Sequence, residues 1–291
     1  MSSLIFRTVL VSLAWLLPLR AQEVGAAAAF HRLRLGPVVV SLPPHWASSG
    51  PEIPVWLHLH GDRATVEAAF TVSGASGILV NVTLPGLSKI YADYFSAPAV
   101  FPGLLRDVEA ALRRESPDKS WRLARLTVSS FSAGFGGVRQ LLNQPVAFER
   151  IAALVMADSI YCGYAGDSAE KHFEAELMAG FLRFARLAAD GEKQMLVTHT
   201  RQQPEGYAST TETADYLIRE LGGTREPILQ EWPGGLRLLS GFARGQLEIL
   251  GFDGDTGADH GRHLRSLGIF LARLQVLDGP RQQTARSKIT P

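Results

Sequence analysis

The chain has 291 residues, of which 46% are hydrophobic and 20% are charged, a balance typical of a folded globular protein with one large or two small domains. Its 29 lysines and arginines nearly match its 28 aspartates and glutamates, which gives no electrostatic argument for binding nucleic acid or an anionic surface. The one cysteine, Cys162, excludes a disulfide within the chain and a cysteine-rich zinc site.

Residues 1–21 are interpreted as a secretory signal peptide. Arg7 is the only charged side chain before an apolar run over 8–17, Pro18 ends that run, and Ala21 supplies a small residue for cleavage. The run has about half the length needed to cross a bilayer as a helix. An uncleaved membrane anchor is the alternative interpretation.

Residues 22–278 are expected to form a single domain, because strand and helix signals are evenly spread and no linker divides them. The polar and basic residues 279–291 are predicted to be a disordered tail. After cleavage this domain has no predicted membrane span, so the predicted location is secreted or periplasmic. The sequence gives no indication of oligomeric state.

Apolar runs with strand character alternate with helical segments along the chain. In chain order, the sequence predicts strands over 36–42, 53–60 and 77–84, a helix over 107–115, a strand over 123–129, a helix over 138–142, a strand over 151–156, a helix over 171–189, a strand over 194–198, a helix over 212–221, two adjacent strands over 236–239 and 247–252, and a last helix over 263–277. This alternation predicts an α/β fold, a mostly parallel central sheet with helices on both faces.

The sequence Ser-Phe-Ser-Ala-Gly at 130–134 stands between the fourth predicted strand and the helix that follows it. A strand, a tight turn with a central serine and a helix are the context of a nucleophile elbow. Small residues at Ser130 and Gly134 let the strand and the helix pack closely. Ser132 is therefore the predicted nucleophile.

A serine hydroxyl needs a base to take its proton and a third group to hold that base. His260 is the predicted base, because it follows the last strand pair and is expected in a loop that reaches back over the sheet edge. His263, three residues later, is the alternative. A metal site formed by His58, His60 and His260 is conceivable, but the serine turn explains the region without one, so no metal or other cofactor is predicted.

Asp158 is the preferred acid, since it follows the apolar strand over 151–156 at the end where parallel sheets place site residues. Its alternative role is a helix N-cap. Glu205, after the next strand, and one of Asp253, Asp255 and Asp259 remain open as the acid. His199 ends a strand at the same edge and either lines the pocket or has a structural role.

The oxyanion of an acyl-transfer reaction needs preorganised N–H donors. One is expected from Ala133, the residue after the nucleophile. The other is expected from the loop after an early strand, where an apolar run ends in His60-Gly61. The backbone N–H of Asp62 is the predicted donor.

Taken together, these residues resemble the α/β-hydrolase superfamily. The resemblance rests on His60-Gly61, the elbow at 130–134 and His260, and it covers about 37–277. It implies an α/β-hydrolase-like sheet of about eight strands and a Ser-acid-His triad. The chain departs from the family at Ser130, where glycine is usual. It also lacks an aspartate after the penultimate strand; some family members place the acid one strand earlier, which suits Asp158.

The predicted function is that of a secreted serine hydrolase that cleaves a carboxylic ester, in a small molecule or a polymer, through an acyl-enzyme. An acyltransferase on the same fold and a non-catalytic, α/β-hydrolase-like binding protein are the alternatives. The sequence does not indicate the acyl specificity.

Overall fold

A computed structural model of the protein describes residues 30–44, 46–48, 52–165 and 174–277. The predicted signal peptide at 1–21 and the predicted tail at 279–291 lie outside the described residues. Among the helices of the described part, none has both the length and the apolar character that a membrane crossing requires.

The described residues form one ten-stranded sheet. Its strands are β1 (His31–Leu35), β2 (Val38–Leu42), β3 (Glu52–Leu59), β4 (Ile78–Val82), β5 (Arg122–Phe131), β6 (Ile151–Ala157), β7 (Gln194–His199), β8 (Glu226–Trp232), β9 (Leu236–Arg244) and β10 (Leu247–Phe252). The order across the sheet is β1-β2-β4-β3-β5-β6-β7-β10-β9-β8. Strands β4, β3, β5, β6, β7 and β10 are parallel, whereas β1, β2, β9 and β8 pair antiparallel. The prediction of a mostly parallel sheet is confirmed.

Helices cover both faces of this sheet, as predicted. They are α1 (Arg63–Ser73), α2 (Ser88–Ser96), α3 (Val100–Glu115), α4 (Phe135–Asn143), α5 (Pro145–Arg150), α6 (Ala175–Ala189), α7 (Thr210–Glu220), α8 (Gly257–Arg265) and α9 (Leu267–Leu277). Alternate side chains of a strand point to opposite faces, so Val55 and Leu57 enter one hydrophobic cluster and Trp56 enters the other. The first cluster packs beneath α2 to α7, and the second packs beneath α1, α8 and α9.

The strand count differs from the expected eight because β1 and β8 carry weak sequence signals. Strand β1 reads His-Arg-Leu-Arg-Leu and stands at one end of the sheet, with three of its five residues exposed. Strand β8 stands at the other end and begins Glu-Pro, with most of its side chains exposed or half-buried. Edge strands with charged side chains lack the apolar runs that mark buried strands.

The region around His260 also differs from the prediction. Instead of a loop, it is helix α8, which begins after Thr256 with a capping box that Thr256 forms with Asp259. The predicted last helix over 263–277 is divided, since α8 ends before Ser266 and α9 begins at Leu267. His260 therefore lies on the first turns of a short helix, which fixes its side chain more firmly than a loop would.

Candidate active site

Three chain segments bring polar side chains to one edge of the sheet. Strand β5 leads into Ser132, strand β6 leads into Asp158, and strand β10 leads through a short loop to α8, which carries His260. These strands are parallel, so their carboxyl ends meet at the same edge. The site is thus a consequence of the strand order.

Ser132 stands in a left-handed backbone conformation, with a φ of 47°. The chain is extended at Phe131, makes one 3-10 turn over Ser132–Gly134, and continues as α4. A Cβ at Gly134 would lie 2.3 Å from the carbonyl oxygen of Leu59, so only glycine allows the turn to pack against the end of β3. A non-glycine residue in this conformation costs about 1–3 kcal/mol and persists where its surroundings enforce it.

A chain of hydroxyls ties this turn to the residues after β6. The Ser130 Oγ lies 2.5 Å from the Ser159 Oγ, and the Ser159 hydroxyl donates to the carbonyl oxygen of Ser132 at 2.9 Å. A hydroxyl has one proton, so Ser130 donates to Ser159. This bond gives the serine at the first elbow position, where glycine is usual, a structural role.

The Asp158 carboxylate is buried and accepts four hydrogen bonds. Its Oδ1 accepts from the Thr200 N–H at 3.0 Å and from the Thr210 hydroxyl at 2.5 Å, and its Oδ2 accepts from the Thr200 hydroxyl at 2.9 Å and from His260 Nδ1 at 2.7 Å. Burial by itself raises the pKa of this carboxyl, but the hydrogen bond from His260 and the nearby His263 outweigh it, so the pKa lies below its ordinary value. Asp158 is therefore an anion at neutral pH.

His260 is held by this carboxylate and by an aromatic ring. Its ring stacks on Phe131 with 4.5 Å between centroids and 28° between planes. Because Nδ1 donates its proton to Asp158, the neutral imidazole carries its lone pair on Nε2. A cavity of about 460 Å³ opens beside the ring, and both His260 and Ser132 line it.

The other carboxylates that the sequence left open have different surroundings. Asp259 accepts hydrogen bonds from the N-cap residue of α8, and Asp253 forms ion pairs with two arginines. Glu205 and Asp255 are exposed. The contact with His260 Nδ1 belongs to Asp158.

The remaining histidines of this edge are structural in their contacts. His263 is buried, its Nδ1 lies 2.7 Å from the Thr198 Oγ1, and burial lowers its pKa to about 4. His199 is also buried, its Nδ1 lies 2.8 Å from the Thr211 Oγ1, and burial lowers its pKa to about 3. Both rings are neutral at pH 7, and neither lines the cavity.

The three histidines considered for a metal do not converge in the structure. The two ring nitrogens of His58 contact the Ser129 Oγ at 2.7 Å and the His60 carbonyl oxygen at 2.9 Å, and His60 Nδ1 lies 3.1 Å from the Tyr91 hydroxyl. Within the described ranges, no group of three or more side chains is arranged to hold a metal ion.

The two expected oxyanion donors differ in position. Ala133 lines the cavity directly after Ser132. Asp62 stands at the end of β3 as the N-cap of α1, where its carboxylate accepts from the Thr65 N–H at 2.9 Å, and it is not among the lining residues. The role of its backbone N–H remains a prediction.

The sequence interpretation missed several side chains of this site. Thr200, Thr210 and Ser159 hold the carboxylate and the elbow, but single hydroxyls in loops and helix starts have no pattern that distinguishes them. Arg139 lines the cavity from α4. The sequence could have indicated this position, since Arg139 lies seven residues after Ser132 on the helix that follows the elbow.

Two of the comparisons with known proteins are negative, since no protein-family profile and no curated protein matches the sequence. Solved structures resemble it at low identity. A ferulic acid esterase is 13% identical over 86% of this chain and 97% of its own, with a TM-score of 0.46. An S-formylglutathione hydrolase from Agrobacterium tumefaciens is 15% identical over 90% and 100%, with a TM-score of 0.44. A feruloyl esterase module from Clostridium thermocellum is 12% identical over 84% and 88%, with a TM-score of 0.47. Nothing about activity follows from similarities of this size.

Proposed function

We propose that this protein is a serine hydrolase on an α/β-hydrolase-like fold and that it cleaves a carboxylic ester through an acyl-enzyme. The observation that carries the proposal is the 2.7 Å contact between His260 Nδ1 and the buried Asp158 carboxylate, beside a cavity that Ser132 also lines. A nucleophile elbow followed along the chain by an acid and a histidine is the order of this fold's hydrolases.

In the first step, the Ser132 Oγ attacks the ester carbonyl carbon while His260 Nε2 takes its proton. The resulting imidazolium faces the Asp158 carboxylate, which Thr200 and Thr210 keep ionised through their hydrogen bonds. In this proposal, the N–H groups of Ala133 and Asp62 stabilise the negative charge on the former carbonyl oxygen.

In the second step, the carbonyl re-forms, the ester C–O bond breaks, and His260 gives its proton to the departing alkoxide. The alcohol leaves and the acyl group stays on Ser132. A water molecule then enters and attacks the acyl carbonyl while His260 takes one of its protons. The bond to the Ser132 Oγ breaks, His260 returns the proton to that oxygen, and the carboxylic acid leaves. This cycle consumes one water and needs no cofactor.

A fluorophosphonate probe, which reacts with activated serines, tests the proposal on the full chain. We expect the wild type to be labelled and Ser132→Ala not to be labelled. Ser120→Ala, at an exposed serine just before the start of β5, the end of that strand opposite the elbow, is the matched control and should label like the wild type. Absence of labelling in the wild type would contradict the proposal and favour a non-catalytic binding protein.

We also propose that residues 1–21 are a cleaved signal peptide and that the protein acts outside the cytoplasm. The support is the charge at Arg7, the apolar run after it and the small residue at Ala21. Expression of the full chain in a secreting bacterium, with mass spectrometry of the exported product, should find a new N-terminus at Gln22. An intact N-terminus on a membrane-bound product would contradict this proposal.

A further inference from the structure

Arg139 places a positive charge in the wall of the cavity that Ser132 lines. It lies on α4, one helical turn beyond Phe135, which corresponds to about 6 Å along the helix axis. Both residues line the cavity, and the Arg139 guanidinium carbon lies 5.0 Å from the centroid of the Phe135 ring. The charge is thus positioned over an aromatic face that stabilises cations.

Arg139 forms no ion pair with the described residues, although the Glu174 carboxylate lies near enough to raise its pKa. No carboxylate of the described ranges lies within ion-pair distance of Arg139, and the side chains that line the cavity include no aspartate or glutamate. Burial lowers the pKa of Arg139, and Cys162 and Glu174 nearby oppose that effect. Since a guanidinium stays protonated, Arg139 places a half-buried charge beside the reaction centre that no described side chain binds as an ion pair.

The cavity wall also includes three aromatic rings, those of Phe135, Tyr161 and Tyr207. Tyr161 packs against Phe135 at 5.4 Å and against Tyr207 at 5.6 Å between ring centroids. Burial raises the pKa of the Tyr161 phenol, so it is uncharged at neutral pH. A volume of about 460 Å³ lies within the range of small-molecule sites.

We propose that Arg139 is a specificity-determining residue that binds a carboxylate carried by the ester substrate. The inference rests on the proposed function and names its substrate class: an ester with an apolar or flat body and one carboxylate that does not react. A guanidinium binds a carboxylate through two parallel hydrogen bonds. That pairing supplies an anion, which none of the described lining side chains offers, and it orients the scissile carbonyl relative to Ser132.

The carboxylate has two possible positions in the substrate, on the acyl part or on the alcohol part. Two pairs of ester substrates, assayed with the full-chain protein, distinguish these positions. Mono-4-nitrophenyl glutarate against 4-nitrophenyl pentanoate places the charge on the acyl part. The butyrate ester of 4-hydroxybenzoate against phenyl butyrate places it on the alcohol part.

The kinetic readout is the ratio of kcat/KM for the charged ester to kcat/KM for its neutral partner. We expect Arg139→Met to lower this ratio by about 10- to 100-fold for one of the two pairs, the usual effect of losing a hydrogen-bonded charge pair. Arg139→Lys should lower it less, because it keeps the charge and loses the paired geometry. Arg114→Met, at an exposed arginine of α3, is the matched control and should leave the ratio unchanged. Equal ratios in wild type and Arg139→Met for both pairs would overturn the inference.

A binding measurement separates this inference from the proposed function. Calorimetric titration of Ser132→Ala with each ester reports affinity without any reaction. We expect the double variant Ser132→Ala/Arg139→Met to bind the favoured charged ester at least tenfold more weakly than Ser132→Ala does. Equal affinities would overturn the inference even where the wild type is an active esterase. A wild type that binds through Arg139 but neither labels nor hydrolyses would instead contradict the proposed function alone.

Discussion

Replacing Asp158 with asparagine tests the acid of the site with little change of shape. The carboxylate accepts from four donors, two at each oxygen, whereas an amide offers one oxygen and one NH2 group. The Thr200 N–H can only donate a hydrogen bond, so the oxygen of the asparagine amide must take the position of Oδ1, which faces that N–H. The NH2 group then faces the imidazole, and His260 Nδ1 must accept instead of donate. The ring proton moves to Nε2, where it blocks the transfer from Ser132.

We expect Asp158→Asn to lower kcat for ester hydrolysis by about 10³- to 10⁴-fold through this change of tautomer. That corresponds to about 4–5.5 kcal/mol of activation free energy. The assay is hydrolysis of a 4-nitrophenyl ester, with thermal unfolding as the check that the variant folds. Asp253→Asn, at a rival acid in an ion pair with Arg201, is the control and should stay within a factor of two. The reasoning would be refuted by Asp158→Asn retaining more than a tenth of kcat, or by Asp253→Asn losing as much.

Three further predictions concern the groups around this pair. The φ of Asp62 is −65°, an angle that proline adopts without strain, so Asp62→Pro removes the backbone N–H. Its kcat should be about 10²- to 10³-fold lower than that of Asp62→Ala, which loses only the helix cap. Equal kcat values in the two variants would exclude this N–H from the oxyanion site. Ser159→Ala removes the hydroxyl that donates to the Ser132 carbonyl oxygen. It should lower kcat about tenfold with KM nearly unchanged, and it should lower the free energy of unfolding by about 1–3 kcal/mol. An unchanged kcat would contradict this prediction. The pKa of buried His263 is about 4 in the folded protein, so below pH 6.5 the unfolded chain binds a proton at this site that the folded one does not, and His263 alone should lower the free energy of unfolding by up to about 3 kcal/mol between pH 6.5 and 4. Chemical denaturation across that range should show a smaller fall in His263→Asn and a wild-type fall in His31→Gln, at an exposed site; identical profiles in all three proteins would be the contrary result.

The sequence was most informative where burial is most complete. Strand β6 is apolar along its whole length and buried on both faces, so its run was recognised together with the residue that follows it. Helix α1 was missed because small residues dilute its apolar face, although Val66 and Phe70 pack fully into the core. Edge strand β8 was missed because only its last residue is buried.

The candidate site divides in a similar way between what a pattern indicates and what only folding brings together. Ser132 lies in a motif whose spacing reflects a backbone conformation, and His260 lies where the chain returns to the sheet edge. The threonines that bind Asp158 come from 42 and 52 residues further along the chain. Their relation to the carboxylate is set by the sheet order and by the start of α7. No local pattern contains that information.

The turn after β6, through Asp158 and Ser159, hydrogen-bonds both the His260 side chain and the turn that contains Ser132. Asp158 has a φ of 46°, close to the 47° of Ser132, and both are residues in a left-handed conformation that costs about 1–3 kcal/mol each. Buried hydrogen bonds offset that cost: Asp158 binds His260, and its neighbour Ser159 binds the carbonyl of Ser132 and the Ser130 hydroxyl. Because adjacent residues of one turn bind His260 and Ser132, the positions of these two residues are linked. In the proposed mechanism, an acid that follows the strand next to the elbow therefore links the proposed nucleophile and base directly, which an acid placed one strand further away would not do.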